Sequence, residues 1–158
     1  METCSVSNAS TIKRKGRPSH GCDRRIGKGV ALGLGEEGCT VYVTGKTLRN
    51  GDSNRPGSVT ATAEEVSKIG GRGIALVCDH HEDSQTAQVF QLVQKEQDGL
   101  DILVNNATSY STDIGPPEDH PFWESALQDW DEMSAVGLRS HYVASMFAAR
   151  MMIPNLEA

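Results

Sequence analysis

The amino-acid sequence predicts an α/β chain whose parallel sheet is covered by helices on both faces. Three observations predict it. Segments with helical apolar spacing alternate with strand-like apolar runs along the chain. Sixteen glycines punctuate these segments and aromatic residues make up only 5% of the 158 positions, which suits a glycine-punctuated α/β protein better than a β-sandwich. The hydrophobic share of 37% suffices for one modest core, hence one domain or a piece of one.

Taken in order, Ile26, Val30 and Leu34 stand at i, i+4 and i+8 with Ala31 beside them, which is one face of a helix. It ends at Glu36-Glu37-Gly38, with Gly38 just past the last turn. Gly29, Gly33 and Gly35 lie inside it, each costing about 1 kcal/mol relative to alanine, so close packing on this helix is expected. TVYVTG (Thr40–Gly45) has the β-branched and aromatic content of a strand. Lys46 to Gly57 reads as a loop. Val59, Ala63, Val66 and Ile69 mark a short helix stopped by Gly70-Gly71. GIALVCD (Gly73–Asp79) is a continuous apolar run with a polar end, the pattern of a buried parallel strand. Asp83 and Ser84 can cap a helix through Val89, Phe90 and Val93, which stops at Asp98-Gly99. LDILVNNA (Leu100–Ala107) is a further strand. After a Gly/Pro/Asp loop, Trp130 to Ile153 forms a long helix with Leu138, Tyr142, Met146, Ala149 and Ile153 on one face, and Pro154 stops it.

Charge is uneven. Residues 1–28 hold seven basic side chains against Glu2 and Asp23, a local balance of +5, while the rest carry −11 of a total of −6. Residues 1–20 (METCSVSNASTIKRKGRPSH) lack apolar period and read as a disordered basic arm ahead of a partial domain over 21–158; no strand is expected in them. The acidic total argues against a nucleic-acid coat. Lys13, Arg14, Lys15 and Arg17 read as a solvated tail before they read as a targeting signal. No apolar run approaches the roughly eighteen residues of a membrane span, and none follows the N-terminal charges as in a secretory leader. A cytoplasmic chain is expected. Cys4, Cys22, Cys39 and Cys78 form no C-x-x-C pair, so reduced thiols and no metal set are expected. His80-His81 adjoin Cys78, but neighbours in extended chain face opposite ways.

The segment Gly21-Cys22-Asp23-Arg24-Arg25-Ile26-Gly27 opens the first helix. Glycines in such a place let the backbone turn tightly and approach a pyrophosphate, with helix N–H groups pointing at it. RRIGKGVALGLGEEGCTVYVTGK, GGRGIALVCDH, LDILVNNA and VGLRSHY, in that order and spacing, resemble the short-chain dehydrogenase/reductase family. The resemblance runs from about Gly21 to Pro154 and covers about the first half of the family's catalytic domain.

That resemblance implies a Rossmann-type doubly wound sheet, a nicotinamide dinucleotide, and hydride transfer at a carbonyl or alcohol carbon. Position by position, Gly21, Ile26 and Gly27 fall on the family's glycine segment. Arg24 falls where NADP-preferring members place a basic residue toward the 2′-phosphate. Lys46 stands where relatives often carry arginine, and its point charge would suit the same phosphate, although it lacks the guanidinium fork. NAD-preferring members end this strand with an acid for the ribose hydroxyls; none stands here, so NADP is favoured over NAD. Asp79 falls on the residue that meets the adenine amine, and Asn105, Asn106 and Ala107 on the NNAG motif.

Four departures stand out. KRKGRPSH, directly before Gly21, cannot be a central strand, because Pro18 lacks a donor and four charges would be desolvated; the first strand is therefore expected to be missing and the sheet incomplete. Arg25 replaces the glycine that lets the pyrophosphate approach. Thr108 replaces the last glycine of NNAG, and Gly137 stands where many members have a catalytic asparagine. The family's serine and Tyr-x-x-x-Lys pair belong to the second half, and Tyr42, Tyr110 and Tyr142 are not read as substitutes, so no catalytic residue is assigned. The expected function is that of an NADP-dependent oxidoreductase present as an N-terminal fragment, inactive alone, with cofactor binding weakened or lost. The alternative is a non-enzymatic relative that pairs with a full-length family member. The resemblance implies a homo- or heterodimer through the last helix, and a place on the cytosolic face of an organelle rests on it alone.

Overall fold

The computed structural model describes residues 3–7, 23–48, 58–109 and 121–153, with backbone only for 3–7 and 23–25. In chain order these form β1 (Thr3–Ser7), α1 (Asp23–Glu36), β2 (Thr40–Gly45), α2 (Val59–Lys68), β3 (Arg72–Val77), α3 (Asp83–Glu96), β4 (Ile102–Asn105), a 3-10 turn (Phe122–Glu124), α4 (Leu127–Ser134), a π-turn (Ala135–Arg139) and α5 (Ser140–Met152). The strands make one sheet in the order β3-β2-β1-β4, with every pairing parallel.

β1 corrects one expectation. Its partners run from Thr3↔Thr40 to Val6↔Val43 on β2, and from Cys4↔Ile102 to Ser7↔Asn105 on β4. The central slot expected to be empty is filled, and the first strand is present. The segment KRKGRPSH is not the one used. The strand is TCSVS, which lies well upstream of Gly21. Threonine, valine and cysteine suit an extended backbone, and pairing on both sides gives the peptide groups their hydrogen bonds. Residues 8–20 of the expected arm lie outside the described residues.

β2 anchors the core because it has a neighbour on each side and helices above and below. Val41 and Val43 pack with Val30 and Ala31 of α1 and with Val59, Ala63 and Val66 of α2. Tyr42 points the other way, toward Val89 and Val93 of α3, as the two-residue period of a strand requires. On that second face, Phe90 and Leu100 meet Ala144 and Ala148 of α5. β3 has β2 as its one strand neighbour in the sheet. It is therefore half-buried, with Val77 exposed, rather than the fully buried strand its apolar run suggested.

Helix ends follow the sequence. Gly38 takes φ +80° past α1, its N–H donating to the Gly35 carbonyl at 3.0 Å, while Cys39 N–H reaches the Leu34 carbonyl at 3.1 Å. Ser58 caps α2, its hydroxyl accepting from Ala61 N–H at 3.1 Å. The close packing expected on the α1 glycines occurs at Gly35, where an added Cβ would lie 3.0 Å from Val66 Cγ1. At Gly29 and Gly33 nothing lies within 4 Å of that position.

The long last helix starts at Leu127, earlier than Trp130, and the π-turn interrupts it. Its inward face is Val136, Ser140, Ala144 and Ala148, small residues that let the helix approach α3 and β4. The larger stripe of Leu138, Tyr142, Met146 and Ile153 is exposed. Among the described residues no helix is long and apolar enough to cross a membrane.

Candidate functional site

Because all four strands run parallel, their carboxyl ends open on one edge of the sheet, and the order reverses between β1 and β4. Such a reversal leaves a crevice between the loops that leave in opposite directions. Lys46 follows β2 directly, Asp79 lies just beyond β3, and Asn105 closes β4 with Ala107 beyond it.

Lys46 and Asp79 meet there, Lys46 Nζ lying 3.1 Å from Asp79 Oδ1. The same oxygen accepts from the backbone N–H of His81 at 3.0 Å and lies 3.1 Å from His81 Nδ1. Burial pushes the Asp79 carboxyl upward, but the His81 N–H, Lys46 and the His81 ring outweigh it and hold the group below the usual carboxylate range. All these contacts fall on Oδ1. Among the described residues none falls on Oδ2.

His81 continues outward. Its Nε2 lies 2.8 Å from Glu132 Oε2 on α4, and Ser109 Oγ donates to that oxygen at 3.2 Å. These two bonds, His81 first, hold the Glu132 carboxyl below its ordinary range. Beneath them, His80 is buried with Nε2 3.1 Å from Thr44 Oγ1. Burial, and then the nearby His141, push its pKa down to about 4.

Asn105 and Ala107 are tied to α5. Asn105 Nδ2 donates to Ser145 Oγ at 3.0 Å, and His141 Nε2 lies 2.8 Å from the Ala107 carbonyl oxygen. Ile26 is half-exposed and Gly27 is buried on α1. Arg24 lies in the first turn of α1, described there by its backbone, and Gly21 lies outside the described residues. Two of the departures turn out to be neighbours, since a Cβ at Gly137, inside the π-turn, would lie 3.8 Å from Thr108 Oγ1.

One tyrosine does stand four residues before a lysine, Tyr42 before Lys46. The structure separates the pair. Tyr42 OH donates to Glu96 Oε2 at 2.8 Å and accepts from Gln97 Nε2 at 2.9 Å, whereas Lys46 turns to Asp79. Burial raises the Tyr42 pKa, opposite to what a proton-transfer tyrosine needs.

Sequence reasoning missed His81, Glu132, Ser109 and His141 as site residues. His81, two residues beyond Asp79 in a turn, carried a local signal. Glu132, 51 residues from its partner, carried none.

Charged and amide side chains gathered at the carboxyl ends of a parallel sheet define an α/β protein of the dinucleotide-fold class. The short chain dehydrogenase family model matches residues 20–157, and the chain belongs to that family, whose members bind nicotinamide dinucleotides. It is similar to dehydrogenase/reductase SDR family member 1 of Mus musculus, at 41% identity over 135 residues, and of Homo sapiens, at 38%. Each match covers 85% of this chain and 41% of the relative. Among solved structures, a short-chain dehydrogenase/reductase from Serratia marcescens superposes with a TM-score of 0.66 at 30% identity, covering 96% of this chain and 51% of that one. The chain thus spans less than half the length of the curated relatives it matches.

Proposed function

We propose that this chain is the cofactor-binding part of an oxidoreductase that moves hydride between NADP and a carbonyl or alcohol carbon. The observation that carries the reading is Lys46 at the end of β2, where an acid would serve the ribose hydroxyls of NAD, held 3.1 Å from Asp79. When bound, the nicotinamide supplies or takes the hydride. Lys46 offers its charge to the 2′-phosphate, with Arg24 as a second cation. Asp79 keeps Oδ2 for the adenine amine. Asn105 and Ala107, fixed by Ser145 and His141, form the wall of the crevice at the end of β4.

Arg25 in a glycine place weakens the pyrophosphate end. Among the described residues no serine and Tyr-x-x-x-Lys trio of the relatives' kind comes together, and the role we propose for these residues is binding rather than proton transfer. A second reading, a non-enzymatic chain that pairs with a full-length relative, is favoured by the exposed Leu138, Tyr142 and Met146 of the last helix.

Calorimetric titration of the protein with NADP⁺ and with NAD⁺ tests the first reading. One charge-assisted contact to the phosphate predicts about tenfold tighter NADP⁺ binding. Equal affinities would remove the phosphate role of Lys46. Binding of neither would sink the cofactor reading and leave the pairing reading, which sedimentation with a full-length relative would then decide.

A further inference from the structure

α4 is an unusual helix in this fold, because nothing in its own sequence holds it down. None of its residues is buried, and Ala126 at its N-terminus provides no side-chain cap. Trp130 is exposed, as is Leu127. The helix runs on through the π-turn into α5, which holds its C-terminal end, so contacts with the body are needed to keep its first turns docked on the sheet. Among the described residues, every side-chain hydrogen bond that α4 makes runs through Glu132, to His81 at 2.8 Å and to Ser109 at 3.2 Å.

The ring of His81 joins that tether to the cofactor edge. If Nδ1 is unprotonated it accepts from Lys46 Nζ at 3.1 Å; if protonated it donates to Asp79 Oδ1 at 3.1 Å. In both cases a bare Nε2 lone pair 2.8 Å from the Glu132 carboxylate would be repelled, so Nε2 carries a proton. Either way Nε2–H points at Glu132. The imidazole is therefore pinned at both ends, and so is the face of Asp79 that it covers.

We propose that His81 and Glu132 are positioning residues for the adenosine half of the dinucleotide: their bond docks α4 onto the sheet and turns the Asp79 carboxylate so that Oδ2 faces the crevice. The proposal rests on the cofactor reading above for its ligand, but the docking of α4 stands on the contacts alone. Neither residue touches the reacting carbon, and both act through Asp79.

Hydrogen exchange across 127–134 and NADP⁺ titration, on the same 158-residue protein, test it together. His81→Ala and Glu132→Ala should each speed α4 exchange about tenfold, the share of one hydrogen bond to a charged group. The double variant should be no faster than Glu132→Ala, because that single change already removes the bond to His81 together with the one to Ser109. Glu132→Gln, whose amide oxygen can still accept from Nε2–H, should keep α4 protected and restore NADP⁺ affinity to within about twofold. The alanine variants should weaken NADP⁺ by roughly three- to tenfold. Unchanged α4 exchange in both alanine variants would overturn the docking role. Faster exchange with unchanged NADP⁺ affinity would overturn the positioning role. If the unaltered protein binds no dinucleotide, the cofactor reading fails and the positioning role with it, while the exchange data still decide the docking of α4.

Discussion

Thr44 Oγ1 and His80 Nε2 lie 3.1 Å apart, which fastens the end of β2 to the turn after β3. His80 is buried, and burial together with His141 brings its pKa down to about 4, against the pull of Asp79. In the unfolded chain a histidine titrates near about 6.5. Between these values the unfolded state binds more protons, so stability rises with pH across that window. It is fully present above about 6.5 and lost as pH falls toward the folded value. The whole effect amounts to about 3 kcal/mol, of which about 2 kcal/mol should be gone at pH 5. Urea melts of the wild type and of His80→Gln at pH 7.5 and pH 5 check this. The variant should close the gap with the wild type as pH falls; a gap that stays constant would sink the idea.

Glycines that look alike in the sequence should respond in opposite senses. At Gly73 an added Cβ would lie 2.6 Å from the Ala63 carbonyl carbon and 2.7 Å from Ala63 Cα, both backbone atoms of α2. α2 packs onto β3 only because that position has no side chain, so Gly73→Ala should cost about 1–3 kcal/mol or more. Gly33, in α1, has nothing within 4 Å, and Gly33→Ala should stabilise by about 0.5–1 kcal/mol through helix propensity. Chemical denaturation of the two variants side by side gives the signs. Equal signs would contradict the packing described for α2 and β3.

The contrast shows which parts of the molecule were legible in the sequence. TVYVTG declared β2 by its β-branched and aromatic content, and Gly38 declared the end of α1, because both signals are local. Lys46 and Asp79 were singled out by the family resemblance, and their places after two apolar runs agree with it, since a parallel sheet sends such ends to one edge. β1 could not be found. Five residues with one aliphatic side chain carry almost no period, and its place comes from two partners far along the chain; the family match itself begins at residue 20, past this strand. The buried face of the last helix was hidden for another reason. Its large side chains marked a face, but close approach to α3 and β4 selects Ser140, Ala144 and Ala148 for burial instead. The His81–Glu132 link rests on a tertiary contact between two surface residues, for which no pattern exists in a single sequence.

Tyr42 tests whether the Tyr-x-x-x-Lys spacing on β2 has any chemical meaning. Its ring is fully buried, and its hydroxyl bridges Glu96, the last residue of α3, and Gln97 just past it. Tyr42→Phe keeps the ring and loses the bridge, which should cost about 1 kcal/mol. Tyr42→Ala also empties the site and should cost about 3–5 kcal/mol. NADP⁺ affinity of Tyr42→Phe should match the wild type. A large loss of binding with little loss of stability would assign the hydroxyl to the ligand rather than to the core.

Lys46 has two duties that one substitution can separate. It neutralises Asp79 at 3.1 Å in the structure, and in the proposed complex it serves the 2′-phosphate. Lys46→Met removes the charge and keeps most of the stem. The Asp79 carboxyl should then titrate at higher pH, because Lys46 is one of the groups that hold it down against burial; carbon-detected NMR of the side-chain carboxyl reads this directly. Since its folded pKa is depressed, Asp79 contributes stability that is present above the unfolded value of about 3.9 and lost as pH falls through the folded one. Lys46→Met should shrink that acid-sensitive part. In the same variant NADP⁺ should bind about tenfold more weakly while NAD⁺ changes little, since NAD⁺ has no 2′-phosphate to lose. Equal weakening toward both would mean that Lys46 acts by orienting Asp79 for the adenine rather than by reading the phosphate.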